Sequence, residues 1–109
     1  PEEAQSIIES IKNISSSIEM DKLDRDQQSD IRKLSEKKIP EILQKYLSIH
    51  PDYRTTLKNT AGKNAQELMI SSLKDIEEVM LSAITFQEEN KLKDLSVQKR
   101  LTTEIKHRF

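Results

Sequence analysis

The chain holds 109 residues, 34% hydrophobic and 34% charged, with a formal net charge of −1 and no cysteine. That length is one small domain, and its near-neutral balance supplies no global field toward nucleic acid or a membrane surface. The lack of cysteine excludes disulfides, thiolate metal sites and cysteine nucleophiles, and fits a reducing compartment.

So much charge belongs either to partial disorder or to amphipathic helices with charged outer faces, and periodicity decides between them. One glycine and three prolines are too few turn formers for a β-rich domain. No apolar run approaches the roughly 18 residues of a membrane span, and no signal peptide is visible. The chain opens on Pro1, not methionine, so we expect a trimmed or excised piece of a longer protein.

"EEAQSIIESIKNISSSIEM" places Ala4, Ile7, Ile8, Ile11, Ile14 and Ile18 on one stripe, which predicts a first amphipathic helix. The acidic "MDKLDRDQQSD" reads as a turn, with Asp24 and Gln27 spaced for a capping box. A second helix should carry Ile31, Leu34, Ile39, Ile42, Leu43, Tyr46 and Leu47, kinked or broken at Pro40, where the ring removes a donor and crowds the preceding turn. "NAQELMISSLKDIEEVMLSAITF" gives the strongest signal, with Ala65, Leu68, Met69, Leu73, Ile76, Met80, Ala83 and Ile84 on one side and Asn64 as cap. "QEENKLKD" reads as a connector to a last helix capped by Asp94 or Ser96, with Val97, Leu101 and Ile105 at i, i+4 spacing. The expectation is an all-α, antiparallel bundle of about four helices in a single domain spanning residues 1–109.

Between the second and third helices, "HPDYRTTLKNTAGKN" collects the glycine, a proline, a histidine, a tyrosine and an arginine. "NTAGKN" echoes a phosphate-binding loop, but Leu57 stands where that motif needs glycine and Asn64 where it needs a hydroxyl. A corner explains every residue. Pro51 stops the incoming helix, Gly62 supplies a left-handed turn position, Tyr53 and Leu57 tuck under the corner, and Arg54 pairs with a carboxylate.

Catalytic and metal constellations are absent from the pattern. His50 and His107 are far apart with no partner at ligand spacing, so neither a metal nor a cofactor is expected. The pairs Glu77–Glu78 and Glu88–Glu89 diverge by about 100° on a helix and read as solvated faces. Charge is nevertheless uneven: residues 1–30 hold three cations against eight anions, and residues 91–109 hold six against two. Lys99, Arg100, Lys106 and Arg108 are the cations a phosphate backbone would use. Intramolecular or subunit-to-subunit charge matching outweighs nucleic acid here, because an acidic complement lies in the same chain.

From Lys38 onward, "IPEILQKYLSI", a loop, "AQELMISSLKDIEEVMLSAITFQEENKLKDLSV" and "QKRLTTEIKHRF" follow one another. This order resembles the C-terminal helical part of the bromo-chloroindolyl phosphate hydrolysis protein family of bacteria, whose members are often encoded beside toxic-anion (tellurite) resistance proteins. The resemblance implies a bacterial, cytoplasm-facing accessory protein, with hydrophobic anchoring sometimes lying upstream. It carries over no catalytic motif, and the first thirty residues and the loop depart from it. The expectation is therefore a non-catalytic interaction or scaffold module that binds a protein partner or a second copy. Tyr46, Tyr53, Arg54 and Phe86 are the contact candidates, since these residue types are enriched at interfaces. A phosphate-ester hydrolase and a nucleic-acid binder are the alternatives.

Overall fold

Two capping boxes fix where the later helices begin. In the computed structural model, which describes residues 1–109, Asp24 Oδ1 accepts from the Gln27 N–H at 2.8 Å and Gln27 Oε1 accepts from the Asp24 N–H at 3.1 Å. Asn64 and Glu67 repeat the exchange at 2.8 and 3.4 Å. Each box satisfies two donors that a bare helix start leaves open. Residues 82% helical in total form three helices, and no strand forms.

Helix α1 spans Glu2–Ser17 and ends where Ile18 turns extended. A short 3-10 turn, Met20–Lys22, leads into helix α2, residues 25–48. Gln28 Nε2 holds that turn by donating to the Met20 and Leu23 carbonyls at 2.8 and 3.0 Å. Helix α3 runs from Ala65 to His107 without interruption.

Pro40 does not break α2. The helix passes from an α stretch, Arg25–Lys33, through a π turn, Leu34–Lys38, into a second α stretch, Ile39–Ser48, that carries Pro40 in its first turn. The Ile39 N–H reaches back to the Leu34 carbonyl. This wider turn gives the proline ring the room it lacks in regular α geometry, where it would crowd the carbonyl four residues back. Ile39 stays right-handed helical although the residue before proline disfavours that conformation. The widened turn thus absorbs the interruption inside a continuous rod.

Helix α3 is the spine. Lys74 Nζ lies 3.3 Å from Glu3 Oε1 near one end of α1, and Gln87 meets Glu19 just past the other, so α1 and α3 run in the same direction. Helix α2 returns the opposite way: Leu23 and Ile31 lie beside Phe86 and Val79, and Tyr46 and Ile49 beside Leu68 and Ala65. Ala4, Ile7, Ile11, Ile18, Leu23 and Ile31 close over Met69, Leu73, Ile76 and Met80, and Ile11, Leu73 and Met80 are wholly enclosed.

The four-helix expectation requires correction. "QEENKLKD" is helix, Asp94 and Ser96 lie mid-helix rather than at a cap, and the expected third and fourth helices are one rod of 43 residues, about 64 Å long. Those eight residues are polar but contain neither glycine nor proline, and polarity alone does not end a helix. The molecule is accordingly elongated, 75 × 24 × 24 Å, and every residue from 88 to 109 is exposed. No helix is long and apolar enough to cross a membrane.

Gln87 is the one buried polar side chain. Its amide accepts from the Glu19 N–H at 3.0 Å and donates to the Glu19 carbonyl at 2.9 Å, pinning the α1–α2 connection to the spine. Beside it, Glu19 Oε2 sits 3.4 Å from Lys22 Nζ and 3.6 Å from Lys91 Nζ. The Lys91 ammonium is held above the ordinary lysine range, first by its hydrogen bond to Glu88 and also by the Glu19 charge, against the opposing pull of desolvation. A raised amine pKa means this contribution is complete below about pH 10 and fades only as pH climbs through the folded value.

Replacing Gln87 with alanine leaves the Glu19 N–H and carbonyl without their partner, so Gln87→Ala should cost about 1–3 kcal/mol in urea unfolding. Gln98→Ala, on the exposed half of the same helix, should stay within about 0.5 kcal/mol.

Candidate functional site

Two of the open grooves are lined mainly by apolar side chains, and one helix surface is bare. The first groove, about 400 Å³, lies between the C-terminal half of α2 and the start of α3, floored by Ile42, Tyr46, Ile49, Leu68 and Met69. It exists because no residue of the Ile39–Ser48 stretch is fully buried: that stretch presents one half-covered apolar edge.

Three of the four expected contact residues gather at this end. The Arg54 guanidinium lies 5.0 Å from the centre of the Tyr46 ring. It also donates to the Ile49 carbonyl from Nε at 2.9 Å and to the Leu47 carbonyl from Nη2 at 3.1 Å. Arg54 therefore closes the C-terminus of α2, where a cation meets the negative end of the helix and its unpaired carbonyls. The expected carboxylate partner is replaced by these carbonyls. Tyr53 does not tuck under the corner: it is 56% exposed, with its ring edge-on to His50 at 6.0 Å, and Leu57 is exposed as well.

The loop that follows uses its donors internally. Asn59 Oδ1 accepts from the Ala61 and Lys63 N–H groups, both at 3.0 Å, and the Gly62 N–H donates to the Asn59 carbonyl at 3.0 Å. Gly62 takes φ of 78°, the left-handed turn position expected of it. A phosphate cradle needs free N–H groups pointing at the ligand; here Asn59 has taken them. No group of three or more histidine, aspartate or glutamate side chains converges anywhere in a geometry that could hold a metal ion.

Phe86 is remote from the other three. It lies 21 residues beyond Ala65 along α3, about 32 Å, and is 57% exposed. It lines a second groove of about 270 Å³ with Leu23, Gln27, Asp30, Ile31, Val79 and Ala83.

From that groove the bare half of α3 begins. Val97, Leu101 and Ile105, expected in a buried seam, are 41%, 43% and 52% exposed because nothing packs on them. At about 100° per residue, Val79, Phe86, Asn90, Val97 and Leu101 fall within about 60° of one another. The second groove and the bare half thus share one side of the rod. Leu92 and Leu95 are exposed on another side. The contact candidates chosen by residue type do not include Val97, Leu101 and Ile105; the signal of their exposure is a periodic run far longer than 25 residues without internal caps.

No protein-family model, curated protein or solved structure matches this chain. What it does must be read from its own surfaces.

Arg54→Ala removes two charge-assisted hydrogen bonds and the stack on Tyr46. It should lower stability by about 1–2 kcal/mol and speed amide hydrogen exchange across residues 49–64, leaving residues 69–84 protected. Equal acceleration in both segments would contradict the local role given to Arg54.

Proposed function

We propose that this chain is a non-catalytic, helical protein-interaction module whose docking surface is the bare half of α3 together with the groove at Phe86. One observation supports the reading above all. Some twenty residues of helix project past the last packed layer with Leu92, Leu95, Val97, Leu101 and Ile105 all in solvent. Most helical stability in proteins comes from burying an apolar face, and this segment buries none of its own. Helix-in-groove recognition uses such a rod, with anchors at i, i+4 and i+8 like Val97, Leu101 and Ile105. The body, by contrast, encloses the Met69, Leu73, Ile76 and Met80 seam.

The alternatives find less support. Lys99, Arg100, Lys106 and Arg108 project over about 200° of the helix circumference, so they do not form one stripe along a phosphate backbone. A phosphate-ester hydrolase would need converging ligands or a nucleophile with a charge clamp, and the loop donors that most resemble a cradle are bonded to Asn59. We place a bacterial accessory role linked to toxic-anion stress within the same proposal, on the residue resemblance of 38–109 alone.

A photo-crosslinking residue in place of Leu101 should give a discrete protein adduct in an extract of the source cell, and the same residue in place of Glu9, exposed on α1, should not. Adducts from Glu9 alone, or from neither position, would remove the bare half of α3 as the docking surface.

A further inference from the structure

We infer that the partner of this surface is a second copy of the chain, lying antiparallel so that the bare half of each α3 seats on the Phe86 groove of the other. The inference rests on the interaction reading above and names its partner.

Charge selects the direction. On and beside the apolar side, the outer end of α3 carries Arg100 and Arg108 against Glu104, whereas Glu89 sits where the rod leaves the body. A parallel pair would set like charge beside like charge, Arg100 beside Arg100 and Glu89 beside Glu89. An antiparallel pair sets the basic end of each copy against the acidic end of the other, as a two-fold interface requires of a surface that must match itself.

Apolar matching selects the register. Setting Leu101 of one copy against Phe86 of the other carries Ile105 toward Val79 and Ala83, at the mouth of the groove that Leu23 and Ile31 also line. The same register places Val97 against Asn90, a pair that occurs twice. Arg100 then falls beside Glu89, and Arg108 reaches the part of the groove where Asp30 stands. The exposed apolar residues on that side of the rod are thus covered at both ends.

The chain has no cysteine, so introduced thiols report pairing without background. Mixing Asn90→Cys with Val97→Cys under mild oxidation should give a covalent dimer of twice the 12.7 kDa chain mass. Either variant alone should give little. Sedimentation of the unmodified chain at about 100 μM should show the same dimer, weakened by salt, and Leu101→Glu should return it to monomer. Arg100→Glu should raise the dimer dissociation constant about tenfold, and adding Glu89→Arg should recover most of that loss. A strictly monomeric chain, efficient pairing of Val97→Cys with itself, or no recovery in the charge swap would overturn the inference. A monomer whose Leu101 position still crosslinks to a different protein would overturn the second copy as partner and leave the interaction reading standing; a monomer without adducts would remove both.

Discussion

The continuity of α3 is the constraint on which the rest of the molecule depends. A helix that starts at the Asn64 cap and meets neither glycine nor proline before His107 has no internal reason to stop. Its inner half offers Met69, Leu73, Ile76 and Met80 as a seam, and both α1 and α2 pack chiefly against that seam rather than against each other. Its outer half receives nothing. One uninterrupted rod therefore produces both the body and the projection, and Gln87 marks the boundary between them by tying the α1–α2 connection to the last packed turn.

Much of the body was legible in the sequence, because the features that build it are local. The Asp24–Gln27 and Asn64–Glu67 boxes follow from a three-residue spacing, and the isoleucine stripe of α1 and the seam of α3 follow from helical periodicity. What escaped was whatever depends on contacts distant in the chain. Gln87 looks like any exposed glutamine until Glu19 comes to lie across from it. Arg54 was expected to meet a carboxylate because arginine commonly does, yet the end of α2 presented carbonyls first. Pro40 signalled an interruption, and it takes the form of a π turn that regular helical spacing does not announce.

The connector misreading had the largest functional consequence. If "QEENKLKD" turned, Val97, Leu101 and Ile105 would fold back as a fourth core seam and the candidate site would shrink to the corner at Tyr46. Because it stays helical, those side chains become surface, and the corner becomes a helix end closed by Arg54 and a loop satisfied by Asn59. The proposed site therefore lies not in the loop, where the unusual residues gather, but on the plainest stretch of helix. The uneven charge along the chain follows the same division: the basic outer end is held away from the acidic first thirty residues.

Whether α3 is one straight rod is therefore the point to measure. Nitroxide labels on the cysteine-free chain at Ser71 and Thr103, diluted with unlabelled protein, are separated by 32 residues of helix. The account predicts a distance near 48 Å, about 1.5 Å for each residue; a dominant distance below about 25 Å would mean that the outer half folds back on the body, and would contradict it.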